Sequence, residues 1–343
     1  MHRRTLLRSL LPLATLISEA SQAGAEEKST GGVIWKPMIQ PPKGLTKLNG
    51  FTDCVPDIVG RLGDRVDLAI FSEGNHFPAL LGRDILEGFR TWVAKEPGYA
   101  RTAVDNIIIV TLPQPRIVEM IEAGGITLGN LTLSVNRECG FYPDLVMGGA
   151  APLRALRRLG VVEPTARIFA RNRGPALLVR AHNPDNITGL DDLTRPDIRL
   201  VLATAGEPGA RNQYFAALEA LLGSNGTSRA RQREVLDFPG RLGIQHRDVL
   251  QALAIGAANV GIIFRHLAEY YASAYPDLCT MIPLPGAEQF SGTIALTTVE
   301  RPIRVIAARA FTKFFLDNAR EVYPQFGFAS MSEADYGAQL TLD

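Results

Sequence analysis

Short runs of apolar residues recur along the chain, and a stretch with helical spacing follows each of the first three. These runs cover 66–71, 106–110 and 144–147. Runs of this length are typical of strands that are covered on both faces of a parallel sheet. The pattern therefore predicts three strand–helix units in the first half of the chain. Their helices are expected over 77–93 and up to residues 122 and 160.

The same alternation begins again after residue 170. The second set of predicted strands covers 175–179, 199–203, 259–263, 280–284 and 293–298. The second set of predicted helices covers 188–193, 210–222, 246–255, 303–317 and 319–323. Residues 223–234, rich in Ser, Asn, Gly and Arg, are predicted as a solvated loop. We therefore expect an α/β fold with two lobes, in which mixed, mostly parallel sheets are flanked by helices.

Residues 1–25 have the features of an export signal. Arg3, Arg4 and Arg8 form a positive end, an apolar run covers 10–17, and the small residues 23–25 form a cleavage site. The apolar run is too short to span a bilayer, which takes about 20 residues. Residues 26–50, rich in Gly, Pro and Lys, are predicted as an N-terminal arm.

The paired arginines leave the export route open. Arg3 and Arg4 with the following Thr5-Leu6-Leu7 resemble a twin-arginine signal, which directs proteins that cross the membrane already folded. The alternative is an ordinary secretory leader that contains two arginines by chance. Both interpretations predict a periplasmic protein.

Composition excludes several classes of protein. A length of 343 residues suggests two domains. The 36 basic and 35 acidic side chains give a net charge of +1 without a basic block, which argues against a nucleic-acid partner. The three cysteines, at 54, 139 and 279, have no paired spacing, which argues against a cysteine zinc site.

Four strand-to-helix turns carry small or polar residues, at 72–76, 111–114, 148–151 and 204–210. In open α/β sheets, ligands bind beyond the carboxyl ends of strands, where helix starts present unpaired N–H groups. Ordinary helix capping is the alternative, because every α/β protein needs it. Turns from both halves that meet at one crevice favour a ligand site.

Several motifs in the second half of the chain form a recognisable series. They are Ala170-Arg171-Asn172-Arg173, Asn183-Pro184, the stretch 187–193, Pro208-Gly209-Ala210, the stretch 248–253, Asn259-Val260-Gly261-Ile262-Ile263-Phe264, and Phe326-Gly327-Phe328. With them, residues 166–328 resemble the molybdate-binding type of periplasmic solute-binding protein, the receptors of ABC importers. The first half is similar more loosely, through 120–124 and 143–146.

The resemblance implies a type II periplasmic binding fold with a ligand cleft at the hinge between two lobes. Lobe 1 is expected to comprise 51–170 plus 284–343, and lobe 2 to comprise 171–283. The hinge is expected near 170–174 and again near 282–292. Such proteins act as monomers, hold an oxyanion with backbone N–H groups and hydroxyls, use no cofactor, and deliver the ligand to an ABC permease.

The family's ligand positions fall on turns of this sequence. The first serine site falls on the turn with Ser72 and Asn75, and the second on Thr111. Phe264 replaces a tyrosine and has no hydroxyl, while Glu73 would repel an anion. With residues from the four turns, the candidate ligand-binding set is Ser72, Asn75, His76, Thr111, Gly149, Gly209, Arg211, His246, Val249, Phe264 and Arg265.

The histidines at 76, 246 and 266 fall at predicted crevice-facing turns. They could bind an oxyanion or carboxylate, with Arg265 giving bidentate geometry. They could also form a metal or metal-chelate site with Glu73, or be satisfied by solvent and backbone. Tyr270 and Tyr271 resemble the paired iron ligands of ferric-binding relatives, but they lie about one turn into the predicted helix, so packing is the expected use.

Motifs of several enzyme classes are absent from the sequence. The chain has no Gly-x-Ser-x-Gly elbow, dinucleotide fingerprint or P-loop. Cys139 is a weak candidate nucleophile, and no catalytic residue is expected. A periplasmic sensor that signals to a membrane kinase would use the same hinge closure as an importer receptor, so these two roles stay open.

Overall fold

The computed structural model describes residues 57–61, 64–82, 84–128, 131–138, 141–204, 207–239 and 243–343. The expected export signal, the N-terminal arm, the first residues of the expected lobe 1, Cys54 and Cys139 lie outside the described residues. So do Ala205 and Gly206 of the fourth predicted turn.

The large sheet has seven strands drawn from both ends of the described chain. They are β1 (Asp57–Val59), β2 (Leu68–Ser72), β3 (Ile107–Thr111), β6 (Leu145–Gly148), β7 (Thr165–Arg171), β12 (Thr293–Thr298) and β13 (Gln339–Thr341). Their order across the sheet is β1-β3-β2-β6-β12-β7-β13. A separate hairpin joins β4 (Gly125–Leu128) to β5 (Leu131–Ser134).

The small sheet has four strands from the middle of the chain. They are β8 (Pro175–Arg180), β9 (Leu200–Val201), β10 (Val260–Phe264) and β11 (Cys279–Pro283), in the order β11-β8-β10-β9. Strands β2, β3, β6 and β10 are buried at every position. This complete burial explains why their sequences are continuous apolar runs rather than alternating ones.

Eight α-helices flank these sheets in the described residues. They are α1 (Phe77–Leu81), α2 (Leu86–Lys95), α3 (Gln114–Glu122), α4 (Ala150–Arg158), α5 (Pro208–Arg231), α6 (His246–Ala254), α7 (Arg265–Ala274) and α8 (Val305–Val322). The predicted helix over 77–93 is two helices, because the chain leaves the helical conformation at Gly82. The predicted loop over 223–234 is wrong, since α5 continues to Arg231 after a kink at Gly223, where φ is +74°.

The predicted α/β class with helix-flanked mixed sheets is confirmed, but the expected predominance of parallel pairing is wrong. Parallel pairs join β2 to β3, β2 to β6 and β9 to β10, and the other described pairings are antiparallel. Strand β2 reaches its parallel neighbours β3 and β6 through crossovers that contain helices, as parallel pairing requires. Most antiparallel neighbours are distant in sequence, such as β6 with β12 and β7 with β13.

The chain passes between the two sheets through two short connections. The first, Asn172–Gly174, joins β7 to β8, and the second, residues 284–292, joins β11 to β12. The side-chain oxygen of Asn172 accepts hydrogen bonds from the backbone N–H groups of Gly174 at 3.1 Å and of Gly292 at 3.0 Å. One amide side chain therefore ties both connections together.

Candidate functional site

A pocket of about 900 Å³ lies where the carboxyl ends of β2, β3 and β6 meet the starts of α5 and α6 and residues of α7. Its lining includes residues from the turns after all three of these large-sheet strands and from the helices of the small sheet. A volume of this size is typical of pockets for organic molecules. An inorganic tetrahedral oxyanion, with four oxygen atoms each about as large as a water molecule, fills on the order of 100 Å³.

Four helices, α3, α4, α5 and α6, begin at this pocket. The first N–H groups of a helix have no partner within the helix and carry a partial positive charge. Prolines remove several of these donors, because Pro113 and Pro115 flank the start of α3 and Pro152 lies in the first turn of α4. Helix α6 is closed by a capping box between Gln245 and Asp248. Donors in the pocket are therefore fewer than four helix starts suggest.

Glu73, directly after β2, lies in the pocket wall. Its carboxyl accepts a hydrogen bond from the backbone N–H of Gly149, at the start of α4. Burial, as the largest cause, and the negative charge of Glu207 raise the pKa of Glu73 to about 8, and the hydrogen bond from Gly149 opposes them. At pH 7 this carboxyl therefore carries a proton for most of the time.

Glu207, which precedes α5, reaches the same pocket from the small sheet. Its carboxylate accepts a hydrogen bond from Nδ1 of His246, and Nε2 of His246 contacts the hydroxyl of Tyr214. Because the backbone N–H of Phe264 donates to that hydroxyl, Tyr214 in turn donates to Nε2. Both ring nitrogens of His246 are thus satisfied within the protein, and its orientation is fixed.

Asp57 and Arg247 close one side of the pocket. Nη1 of Arg247, in α6, donates to Oδ1 of Asp57, in β1, at 2.7 Å. The other carboxylate oxygen of Asp57 accepts the hydroxyl proton of Thr111 at 3.1 Å. Of the arginines and lysines that the structure describes, Arg247 is the one that lines the pocket, and its charge is largely balanced by Asp57.

Aromatic side chains form another part of the pocket wall. They are Phe77, Phe264, Tyr270, Tyr271 and Tyr275. Tyr270 and Tyr271 pack against each other at a ring distance of 5.7 Å, as expected, and both also line the pocket. Burial raises the pKa of Tyr271, so its hydroxyl is neutral at physiological pH.

Amide side chains supply further polar groups. Gln114, Asn172, Gln213, Gln245 and Gln251 line the pocket. Nε2 of Gln114 is buried and has no hydrogen-bond partner among the described residues. It packs against Gly148, where an added Cβ would come within 1.8 Å of it. Gly148 thus leaves room for the Gln114 amide at the pocket wall.

The structure brings six of the eleven predicted site residues to this pocket. Those six are Asn75, Thr111, Gly149, Gly209, His246 and Phe264. Thr111 and His246 are engaged by Asp57, Glu207 and Tyr214, as described above. Whether any of the six contacts a ligand stays a prediction.

Ser72 and His76 lie beneath the pocket and are fully buried. The Ser72 hydroxyl donates to the carbonyl of Glu73 at 3.0 Å and accepts from Nε2 of His76 at 2.7 Å. Nδ1 of His76 then accepts from the Tyr323 hydroxyl at 2.8 Å. Burial lowers the pKa of His76 to about 3. This chain of hydrogen bonds supports the turn instead of facing a solute.

Three other predicted residues lie outside the pocket lining. Arg211 turns away to form a two-pronged ion pair with Glu234 and to contact the Ala203 carbonyl at 3.1 Å. Val249 is buried against β10. Arg265 pairs with Glu269 at 2.9 Å and with Glu288 at 3.2 Å, so carboxylates of the protein already occupy its guanidinium.

The predicted histidines do not converge. Nε2 of His266 donates to the carbonyl of Asn75 at 2.9 Å, and its ring stacks on Phe328 with a centroid distance of 4.1 Å. Burial lowers the pKa of His266 to about 3. Across the described residues, no group of three or more His, Cys, Asp and Glu side chains has the geometry of a metal site. The arrangement therefore favours a structural role for His76 and His266.

Sequence reasoning missed several pocket residues. Glu207 precedes a proline in one of the predicted turns, and Gln114 lies in another, so local signals for both exist in the sequence. Asp57 and Arg247 have no such signal, because their meeting depends on contacts between residues 190 positions apart.

The chain is similar to one known family of proteins. A family described as bacterial extracellular solute-binding protein matches residues 103–329, about two thirds of the chain. No curated protein sequence is significantly similar to the chain. Within the described residues, no helix combines the length and apolar character needed to cross a membrane.

Solved structures share the fold. The substrate-binding protein of an ABC transporter from Agrobacterium tumefaciens has a TM-score of 0.55 and 13% identity, over 82% of this chain and 84% of that one. The sulfate-binding protein SubI from Mycobacterium tuberculosis H37Rv has 0.54 and 17%, over 78% and 88%. PEB3 bound to L-phospholactate has 0.51 and 14%, over 77% and 100%; another structure of this protein is from Campylobacter jejuni.

Proposed function

The chain belongs to the family of bacterial extracellular solute-binding proteins, and we propose that it is an exported receptor that captures one small solute in the pocket and delivers it to an ABC permease. One observation carries this proposal. The pocket wall is shared between turns of the large sheet and helices of the small sheet, so a solute bound there would contact both. The receptor would act as a periplasmic monomer without a cofactor.

The connections between the sheets support a hinge. We propose that the large sheet is the core of lobe 1 and the small sheet the core of lobe 2. The chain crosses between them at Asn172–Gly174 and 284–292, both short and joined through Asn172. Two short connections between the same two sheets are suited to hinge closure around a ligand.

Contacts across the pocket support a closed arrangement. The Arg247–Asp57 ion pair and the hydrogen bond from His266 to Asn75 each join a small-sheet helix to a turn or strand of the large sheet. A solute in the pocket would be covered by these contacts and released when they break.

An oxyanion, similar to molybdate, is the ligand class that the sequence resemblance implies. The N–H groups of Gly209 and Ala210 at the start of α5, together with a fold similar to that of a sulfate-binding protein, support it. The paired state of Arg247 and the Glu73 carboxyl at the start of α4 disfavour it. The experiment below therefore includes oxyanions as one class among several.

Solute capture is tested by thermal shift and calorimetry on the purified chain. The panel contains sulfate, molybdate, organic carboxylates, amines, sugars and divalent metals. At a hundredfold excess over Kd, a true ligand is expected to stabilise the protein by about 2.7 kcal/mol. Failure of every class to bind would contradict the proposal.

A pocket-filling variant locates the binding. Gly209→Trp places an indole in the pocket, since no atom lies within 4 Å of an added Cβ at this position. Gly98→Trp is the matched control in an exposed turn that is equally open. Binding is expected to be lost in the first variant and kept in the second. Delivery is then measured as ligand-dependent stimulation of the partner permease's ATPase activity in proteoliposomes.

A further inference from the structure

Acidic groups outnumber basic groups in the pocket lining. Asp57, Glu73, Glu207 and Asp248 contribute carboxyls, whereas Arg247 and His246 are the basic side chains among the described lining residues. Asp248 accepts the backbone N–H of Gln245 at 2.9 Å in the capping box. Asp57 pairs with Arg247, and Glu207 with His246.

Glu73 differs from the other three carboxyls. Within the described part of the chain it forms no ion pair, and its recorded partner is the backbone N–H of Gly149. A carboxyl that accepts an N–H at a helix start occupies the position in which a helix terminus would bind an external anion. Glu73 therefore occupies the position that an anionic ligand would take at this helix start.

Glu73 and Glu207 approach the pocket from opposite sides. Glu73 follows β2 of the large sheet, and Glu207 precedes α5 of the small sheet. They are close enough for the charge of Glu207 to raise the pKa of Glu73. Two carboxylates at this separation repel each other unless a proton or a cation lies between them.

The rest of the lining suits an organic cation. Phe264 and three tyrosines, Tyr270, Tyr271 and Tyr275, line the same pocket. A cation is attracted to the face of an aromatic ring, and a hydrocarbon chain packs on it favourably. The volume of about 900 Å³ leaves room for a carbon skeleton beside the charged group.

Building on the proposed function, we infer that the solute carries a protonated amine, which Glu73 and Glu207 hold between the large and small sheets. The ammonium group donates one hydrogen bond to each carboxylate, and its carbon skeleton lies against the tyrosine wall. Closure of the pocket brings the two carboxylates to the same cation, so the amine itself links the two halves. An oxyanion in the same place would face two carboxylates, which carry the same sign of charge as the oxyanion.

Binding is coupled to a proton. The Glu73 carboxyl is mostly protonated in the free protein at pH 7, and a neighbouring ammonium group favours its ionised form. The charged and titratable groups around it are Glu207, His246, Asp57, Arg247, Asp248, His76 and Tyr323. The amine is therefore expected to release up to about one proton per molecule bound.

The test compares charged amines with acetylated derivatives that have lost the positive charge. Calorimetry on the full chain uses 2-phenylethylamine and its neutral N-acetyl derivative, together with 1,4-diaminobutane and a series of longer mono- and diamines. Sulfate and molybdate are the anionic probes. Amines are expected to bind at least about tenfold more tightly than their acetylated forms, because hydrogen bonds to charged groups contribute about 1.5–3 kcal/mol. Repeating the titration in buffers of different ionisation enthalpy counts the released protons.

Variants test whether the two carboxyls are responsible for amine binding and proton release. Glu73→Gln and Glu207→Gln are each expected to weaken amine binding about tenfold or more, and Glu73→Gln to abolish proton release. Glu288→Gln is the matched control, since Glu288 is exposed and pairs with Arg265 outside the pocket lining. Urea unfolding verifies that each variant folds, and the comparison of amine with acetylated amine on the natural chain needs no variant.

The outcomes separate this inference from the proposed function. Amine affinities that are unchanged in both glutamine variants would overturn the inference. So would binding of an oxyanion or a neutral solute when no amine binds, although solute capture itself would then stand. If no class of solute binds, the proposed function fails together with the inference.

Discussion

The guanidinium of Arg247 donates to the carboxylate of Asp57 at 2.7 Å, joining the first turn of α6 to the edge strand β1. Both side chains are mostly buried, with 27% and 13% of their surfaces exposed. Asp57 is held from its other side by the Thr111 hydroxyl. The ion pair therefore fastens the small-sheet side of the pocket to a strand whose own position is fixed.

Removal of this ion pair is expected to open the pocket. In Arg247→Gln the charge attraction to Asp57 is lost, so the open arrangement becomes more populated. The radius of gyration of the ligand-free protein, measured by small-angle X-ray scattering, should increase. The free energy of unfolding should fall by about 1 kcal/mol or more, because Asp57 keeps a partly buried charge.

A second ion pair provides the control. Lys313 and Asp317 lie one turn apart on the exposed face of α8, at 3.2 Å. Exposed pairs of this kind contribute at most about 0.5 kcal/mol. Lys313→Gln should leave both measurements unchanged, and an unaltered radius in Arg247→Gln would show that Asp57 is not a closure contact.

Substitution of Gly174 is expected to disturb the connection between the sheets. Gly174 has φ at +71°, and an added Cβ would lie 2.0 Å from the carbonyl oxygen of Ala287. The strain of this conformation costs about 1–2 kcal/mol for other residues, and the backbone contact adds to it. Gly174→Ala should therefore lower the free energy of unfolding in urea by about 2–4 kcal/mol.

Two other glycines distinguish the cost of a positive φ from the cost of the contact with a neighbouring backbone. Gly124 also has a positive φ, at +72°, but an added Cβ there meets no atom within 4 Å. Gly124→Ala should cost about 1 kcal/mol, and Gly98→Ala, with neither feature, close to nothing. Equal losses in the variants at 174 and 124 would mean that the Ala287 carbonyl moves aside.

The central strands could be predicted from the sequence because burial leaves a direct pattern. Strands β2, β3, β6 and β10 begin within two residues of the apolar runs that predict them. All of their positions are buried, so each position is apolar or small. The edge strands β1 and β13 have three residues each and are partly exposed, which leaves no period to recognise.

The pocket could be predicted in outline only. The four strand-to-helix turns lie at its wall because strand direction places them at one edge. The pairing of Asp57 with Arg247 and of Glu207 with His246 depends on packing between distant segments. For the same reason the sequence did not show that Arg211 and Arg265 are already paired with carboxylates of the protein.

Acid is expected to destabilise the protein through His76. Its pKa in the folded protein is about 3, against 6.5 for an unperturbed histidine, because the buried ring stays neutral. Between these values the unfolded chain binds the proton more tightly, so stability is present above pH 6.5 and is lost as pH falls. The contribution of His76 should decline by about 1.4 kcal/mol per pH unit between pH 6 and 4.

Urea unfolding of His76→Asn over this range measures the contribution. The variant is less stable at pH 7, but its free energy of unfolding should depend less steeply on pH than that of the natural chain. Ile262→Val, a buried change in β10, is the control that lowers stability at every pH alike. Parallel curves for the natural chain and His76→Asn would mean that His76 takes up its proton without unfolding.

Glu73 is expected to give the opposite dependence on pH. Its pKa of about 8 in the folded protein exceeds the 4.5 of an unperturbed glutamic acid, so the folded state binds the proton more tightly. The contribution of Glu73 to the free energy of unfolding is therefore fully present below pH 4.5 and is lost as pH rises towards 8.

Between pH 6.5 and 8 the histidine contribution is constant, so the pH dependence of the unfolding free energy in this window reports on Glu73. Over it, Glu73→Gln should gain about 1.6 kcal/mol relative to the natural chain in urea unfolding, whereas Glu288→Gln should gain nothing. A constant difference across the window would show that the Glu73 carboxyl is already ionised at neutral pH, and the proton release expected on amine binding would then be absent as well.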